Sequence, residues 1–391
     1  MLSCCVGETS ILNEVRIEKW VYGGDALTRI DGRVVLVPFV LPGELARIDA
    51  HDDIHADLLE VLEPAPERVA PPCPVFTRCG GCHYQHAPYE FQLARKVEIL
   101  REQLRRVGKL HYQGEIETIS GAPLGYRNRS QFHIADGRIG YLASRSHDLV
   151  ELTGPCPISS PRVNETLALI RDRLHDPKFP KFVHQIEVFT NEIGVQINAL
   201  EADRPVARSF YDWMGSSVAL DYPTSHGTFR VSPRSFFQVN RFLIDPMIDR
   251  AIESATGSTA LDLYSGVGLF AGPLSRKFQT VTAVEAGASA ARDLQVNAPQ
   301  VHVEQARVED YLVKLQTTPD FVLADPPRAG LGKSVVANLN RLAPSRITIV
   351  SCDPATLARD LAALHYRIER LTLIDLFPQT FHIETIVELV R

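Results

Sequence analysis

After Asn240 the chain alternates between short apolar runs and amphipathic stretches, and no other feature limits its possible folds so tightly. Residues 260–263, 280–285, 321–325 and 347–351 read as strands, and residues 242–254, 287–297, 332–342 and 354–365 as helices. Such alternation predicts a parallel sheet with helices on both faces. Ligands of these sheets bind at the carboxyl ends of the strands. Side chains that directly follow a strand are therefore the first candidates for chemistry.

The rest of the chain reads differently. A length of 391 residues allows two or three domains. Residues 15–62 read as short strands, with turn signals at Gly23–Gly24, Asp31–Gly32 and Pro42–Gly43, which suggests a small barrel. Pro64, Pro66, Pro71, Pro72 and Pro74 mark a linker. Residues 89–107 have helical periodicity, and residues 114–235 are mixed and strand-rich. No window approaches the roughly 18 apolar residues of a membrane helix. The first residues lack a signal-peptide pattern, so a cytoplasmic protein without a membrane role is expected.

The net charge of −6 does not advertise a nucleic-acid binder, but phosphates respond to local patches. One patch holds Arg95, Lys96, Arg101, Arg105, Arg106 and Lys109. A thinner one holds Arg127, Arg129, Arg138 and Arg145. Taken alone, each reads as a solvated face laced with ion pairs before it reads as an RNA contact.

Gly266 and Gly268 stand between the strand at 260–263 and a helix. Glycine lets the backbone turn sharply there and approach a ligand without a Cβ in the way. Glu285 closes the next strand, where a carboxylate can accept hydrogen bonds from both ribose hydroxyls of an adenosine. With Ala271 the loop also meets the loose dinucleotide fingerprint. Asp262, four residues before Gly266, tilts the reading towards S-adenosylmethionine. A dinucleotide, or a glycine turn without a ligand, stays open at this point.

Two further strand ends carry reactive groups. Asp325 begins a segment with Pro326, Pro327 and Arg328, stiff enough to hold a planar base by its edge; an ordinary capped turn reads equally simply. Cys352 ends the strand at 347–351, and Pro354 suits the first turn of a following helix. A thiol near a helix N-terminus is expected to favour its thiolate. Such a thiolate has a use in a methyltransferase. C5 of uracil is too weak a nucleophile to attack a sulfonium methyl. Addition of sulfur to C6 makes an enolate with electron density at C5, which can then take the methyl. A base must afterwards remove the C5 proton so that the cysteine leaves.

These segments resemble the 5-methyluridine RNA methyltransferase family, whose members modify transfer RNA or 23S ribosomal RNA. The resemblance runs from about residue 11 to 391 and includes Ser235–Asn240, the loop around Gly266, Asp325–Gly330, Ser351–Asp360 and Phe377–Glu384. It implies Cys352 as nucleophile and Glu384 as base, with Gln238, Tyr264, Gly266, Glu285 and Asp325 at the cofactor, S-adenosylmethionine. Leu269, Ala306, Ser265 and Asp353 depart from the residues common in the family, which puts cofactor affinity in question but leaves Cys352 and Glu384 intact.

Cys73, Cys79, Cys82 and Cys156 lie in proline-flanked turns, and four thiolates suit a [4Fe–4S] cluster or zinc. Structural zinc usually draws on two paired hairpins, and only one short pair exists here. The pattern resembles the cluster-bearing branch of the family and implies the iron–sulfur cluster, with zinc as the alternative. Cys4 and Cys5 read as incidental. The barrel at residues 11–63 resembles a TRAM domain, an OB-type RNA-binding module, with Tyr22, Arg29 and Arg33 as RNA contacts.

The expected fold class is therefore multidomain α/β. An OB-type barrel at 11–63 precedes a central strand-rich α+β domain at 64–238 and a Rossmann-like class I methyltransferase domain at 239–391. The partner is RNA, ribosomal ahead of transfer, with the target uridine flipped into the pocket and no obligate protein partner. An NAD-type oxidoreductase, or a non-catalytic RNA-binding protein on a methyltransferase fold, are the competing functions.

Overall fold

The computed structural model of the chain describes residues 11–52 and 54–391, with no account of the side chains of Ile11 and Leu12; Cys4 and Cys5 lie outside the described residues. The chain divides into two compact units. One holds the chain up to Ile99 together with Gln379–Phe381, and the other holds Leu100–Pro378 and His382–Arg391.

The first unit is built on β1 (Ile11–Arg16), β2 (Lys19–Trp20), β3 (Asp25–Ile30), β4 (Arg33–Pro38), β5 (Leu45–Ala50) and β6 (Ala56–Glu63). They form two antiparallel sheets, in the orders β1-β5-β6 and β2-β3-β4. The sheets meet through β4 against β6 and β1 against β3. Val15, Val35, Val37, Ala46 and Ile48 are buried between them. Trp20 stacks on Tyr84 with ring centroids 4.0 Å apart. The carbonyl of Gln379 accepts the backbone amides of His83 and Tyr84, at 2.8 and 3.0 Å.

Helix α1 (Tyr89–Arg106) carries the larger basic run. Its cations are mostly spoken for. Lys96 is buried, Arg95 pairs with Glu98 at 2.8 Å, and Arg106 with Glu102 at 3.3 Å. Local i,i+3 and i,i+4 pairing therefore takes up much of this charge.

In chain order the second unit adds β7 (Ile116–Ile119), β8 (Arg129–Ala135), β9 (Arg138–Leu142), β10 (Leu149–Glu151), α2 (Pro161–Arg173), β11 (Val183–Thr190), β12 (Val195–Ala202), α3 (Arg208–Trp213), β13 (Leu220–Thr224) and β14 (Gly227–Val231). It continues with α4 (Ile244–Ile252), β15 (Thr259–Leu263), α5 (Ala271–Leu274), β16 (Thr280–Val284), α6 (Ala288–Asn297), β17 (His302–Glu304), α7 (Val308–Lys314) and β18 (Phe321–Ala324). Last come α8 (Gly332–Leu342), β19 (Arg346–Ser351), α9 (Pro354–Ala363), β20 (Arg367–Ile374) and β21 (Glu384–Val390).

The principal sheet has the order β17-β16-β15-β18-β19-β21-β20-β7. From β17 to β19 it is parallel, as the alternation predicts. It is not parallel throughout. β21 runs antiparallel to both β19 and β20. Antiparallel neighbours can be joined by a short connection, whereas a parallel pair needs a crossover. The segment 375–383 is too short for a crossover helix, so β21 returns against β20 and fills the slot beside β19. β7, from the middle of the chain, closes the far edge parallel to β20. The order reverses between β15 and β18, and at such a switch point the strand ends open a crevice.

A second sheet, β10-β9-β8-β11-β12, is antiparallel. Its Phe189 joins Tyr222, Phe229 and Phe237 and the apolar face of α4 (Met247, Ile248, Ala251) in one continuous core that extends to Phe278 and Phe321. Burial of this surface, at roughly 25 cal/mol per Å2, welds the central sheet to the helix layer.

Candidate active site

The carboxyl ends of the parallel strands open into a cavity of about 650 Å3. Its floor is the loop after β15. Tyr264, Gly266 and Gly268 all have positive φ, at 60°, 55° and 90°. Glycine takes this backbone without strain; Tyr264 does not, and strained non-glycine residues gather at ligand sites. A Cβ on Gly268 would lie 2.5 Å from Cδ1 of Leu294, so close helix packing also demands glycine there. Around Gly266 the space is open. Glu285 follows β16 and is held by both carboxylate oxygens: Oε2 accepts the Gly266 amide at 2.9 Å and Oε1 the Gly287 amide at 2.6 Å.

The opposite wall comes from the segment after β14. Phe237 points into the aromatic core, with its ring centroid 4.7 Å from that of Tyr222. Phe236 is 59% exposed, and with Gln238 it lines the cavity. The backbone is pinned from the residue before β8: Asn128 Nδ2 donates to the Gln238 carbonyl at 3.1 Å.

The third wall holds the reactive groups. β19 and β21 pair with Ser351 opposite Thr385. One more step along that antiparallel register sets Cys352 opposite Glu384. Asp325 and Arg328 reach the same cavity from the loop after β18. Burial pushes the Cys352 thiol up to about 12, the Glu384 and Asp325 carboxylates add to this, and the Arg328 guanidinium opposes it. Burial holds Asp325 up at about 7. Glu384 is raised well above the usual carboxylate range, by burial first and then by Asp325.

This overturns the expected thiolate. The helix N-terminus is present, but Asp353 occupies it: one carboxylate oxygen accepts the amides of Ala355 and Thr356, at 3.0 and 2.8 Å. The amides that would have stabilised a thiolate already donate to this side chain. Among carboxylates and apolar walls, Cys352 rests as a thiol.

Gln238, Tyr264, Gly266, Glu285, Asp325, Cys352 and Glu384 all line this one cavity. Leu269 lines it too, as a buried side chain. Cys73, Cys79, Cys82 and Cys156 do not. Among the described residues no group of three histidine, cysteine or acidic side chains is arranged to hold a metal ion. The cavity also contains residues that the sequence did not single out as site residues. Arg129, expected in a surface patch, is buried, with Nη1 3.2 Å from Glu187 Oε1, Nη2 donating to the Ser235 carbonyl at 3.1 Å, and its guanidinium 4.2 Å from the Phe189 ring centroid. Its partners lie 58 and 106 residues further on, so no local pattern announces them.

Comparison with known proteins decides what this cavity belongs to. A family model described as tRNA (uracil-5-)-methyltransferase matches residues 304–391. An RNA methyltransferase of Aquifex aeolicus, described as uncharacterized, is 33% identical, covering 95% of this chain and 97% of its own. The 23S rRNA (uracil(1939)-C(5))-methyltransferase RlmD of Pectobacterium atrosepticum is 32% identical over 93% of this chain and 90% of its own. The chain belongs to the S-adenosylmethionine-dependent RNA (uracil-C5) methyltransferase family. The fold of this methyltransferase agrees. The Pyrococcus abyssi tRNA (uracil-54, C5)-methyltransferase, solved in complex with S-adenosyl-L-homocysteine, superposes with a TM-score of 0.78 at 24% identity, covering 96% of this chain and 99% of that one. Membership of the methyltransferase family removes the dinucleotide oxidoreductase alternative. Among the described residues no helix is long and apolar enough to cross a membrane.

Proposed function

We propose that this methyltransferase makes 5-methyluridine in 23S ribosomal RNA through a covalent cysteine adduct. The observation that carries the reading is that Cys352 and the buried Glu384, which flank the last β19–β21 pair Ser351–Thr385, line one cavity and interact electrostatically. Gln238, Tyr264, Gly266 and Glu285 line one part of the cavity and fit an adenosine and its ribose. When bound, S-adenosylmethionine supplies an electrophilic sulfonium methyl.

Cys352 is the nucleophile. Its thiol proton passes to Asp325, one of the two carboxyl groups that face it, which leaves Glu384 free to accept a proton later. Sulfur then bonds to C6 of the uracil, and the C5–C6 π electrons move into an enolate. C5 bonds to the methyl as the S–CH3 bond breaks, its electron pair staying on the sulfur of the departing thioether. Glu384 takes the C5 proton, and the electron pair of that C–H bond re-forms the double bond as sulfur departs from C6. A carboxyl raised by burial is better matched to a carbon acid than an ordinary surface carboxylate. Asp325 also serves to hold the uracil edge.

Ribosomal RNA is favoured over transfer RNA by the near full-length similarity to RlmD. Residues 11–63 read as the TRAM module, 64–238 as a central domain and 239–391 as the methyltransferase domain, in a cytoplasmic enzyme. Cys73, Cys79, Cys82 and Cys156 are read as ligands of a [4Fe–4S] cluster. The Gly81 amide donates to Cys79 Sγ at 3.4 Å, the kind of hydrogen bond that tunes cluster thiolates.

The test is incubation with labelled S-adenosylmethionine and total RNA lacking C5 methylation, followed by size separation and nucleoside digestion. Label is expected in 5-methyluridine of the 23S fraction. Cys352→Ala should lose it while binding the cofactor normally. Glu384→Gln should accumulate a protein–RNA adduct stable to denaturation. Label in the tRNA fraction alone would overturn the ribosomal assignment, and full activity of Cys352→Ala the covalent one. Cofactor binding with no label in any RNA would favour the non-catalytic reading.

A further inference from the structure

Asp293 lies on the second turn of α6, outside the cavity, and is 2% exposed. It receives three hydrogen bonds from one turn of chain. Its Oδ2 accepts the Ser232 amide at 2.8 Å and Ser235 Oγ at 2.7 Å, and its Oδ1 accepts Ser232 Oγ at 2.6 Å. The same turn is held elsewhere. Ser289 Oγ donates to the Pro233 carbonyl at 3.2 Å, and Arg129 Nη2 to the Ser235 carbonyl at 3.1 Å. Inside this cage Arg234 has a φ of 67°. An arginine adopts that left-handed backbone only when its surroundings over-determine it. Its side chain is exposed, so the strain does not come from packing the guanidinium.

The segment that leaves this turn is Phe236–Val239, one wall of the cavity. One helical turn beyond Asp293, on the same face of α6, Asn297 holds the other side. Its Oδ1 accepts the Arg230 amide at 2.7 Å, and its Nδ2 donates to the carbonyls of Arg230 at 3.0 Å and Val267 at 2.8 Å. Val267 belongs to the glycine loop. The face of α6 that carries Asp293 and Asn297 thus ties the Gln238 segment and the glycine loop to one rigid element.

We propose that Asp293 is a positioning residue for cofactor binding. It fixes the strained turn at Arg234 so that Phe236 and Gln238 stand at the correct distance from the glycine loop. This rests on the reading of Gln238 as a cofactor contact. Asp293 touches neither cofactor nor RNA; it acts through the turn.

The test is calorimetric titration of S-adenosylmethionine and S-adenosyl-L-homocysteine into the full-length protein, with thermal unfolding recorded beside it. Loss of charge-assisted hydrogen bonds in Asp293→Ala should weaken both ligands about tenfold or more. Arg234→Gly, which takes the left-handed backbone without strain, should bind as wild type. Added to Asp293→Ala, it should recover most of the affinity while the melting temperature stays low. A purely structural Asp293 predicts instead that affinity and melting temperature fall and recover together, and that result overturns the proposal. Should Asp293→Ala fail to fold, Ser235→Ala removes one of the three bonds and should weaken binding by a smaller factor; wild-type affinity there overturns the proposal equally. Gln238→Ala separates the two readings. If it binds as wild type, the Gln238 assignment fails; if it is weakened while Asp293→Ala is not, the positioning role fails.

Discussion

Cys352 shows how a residue's chemistry departs from what its place in the chain suggests. A cysteine at the mouth of a helix should be acidic. This one is held near 12 because it is buried beside Glu384 and Asp325, which outweigh Arg328 and a backbone hydrogen bond that oppose the rise. The direction has a consequence for pH. A thiol with a raised pKa is protonated at neutrality, and its thiolate fraction grows about tenfold per pH unit until the pKa is reached. Alkylation of Cys352 by iodoacetamide in the RNA-free protein, followed by peptide mass spectrometry, should therefore accelerate from pH 7 to pH 10 without levelling. A plateau near 8.5, the value of an ordinary thiol, would show that the pocket does not suppress ionisation.

At the scale of elements, α9 carries the matching prediction. Pro354 stands in its first turn and Asp353 caps it through the amides of Ala355 and Thr356. Asp353→Ala should cost about 1 kcal/mol of stability, as loss of an N-cap usually does, measured by urea unfolding. The same change frees two amides beside Cys352 and removes a nearby negative charge. Alkylation of Cys352 should then become faster at fixed pH. Slower or unchanged alkylation would mean that the cap does not shield the thiol from the helix end, and that burial with Glu384 and Asp325 alone holds it protonated. The opposing segment, Phe236–Val239, obeys the same logic of anchoring: its backbone is set by Asn128 and its turn by Asp293, neither of them its neighbour in sequence.

For the whole molecule, the cysteines outside the cavity make the sharpest claim. Anaerobically purified protein should contain about four iron and four sulfide per chain and show the visible absorbance of a cluster. Cys79→Ser should lose both. Zinc in place of iron would select the alternative metal, and a protein with neither would leave these thiols as packing residues.

The chain's local patterns carried the fold of the second half. Strand ends at Leu263, Ala324 and Ser351 and the helices between them follow from hydrophobic period and punctuation, which act over a few residues. Glycine at 266 and 268 and the groups that follow each strand were legible for the same reason. The antiparallel insertion of β21 was not, because partner choice among strands depends on which slots the folded sheet leaves open. Nor was the burial of Arg129, whose partners are distant in sequence. The state of Cys352 was misread because a pKa sums every charge and all the buried surface around a group. Sequence placed the thiol beside a helix end and, by resemblance, Glu384 and Asp325 at its site; only the tertiary structure showed that their burial around the thiol raises its pKa, and handed the helix amides to Asp353.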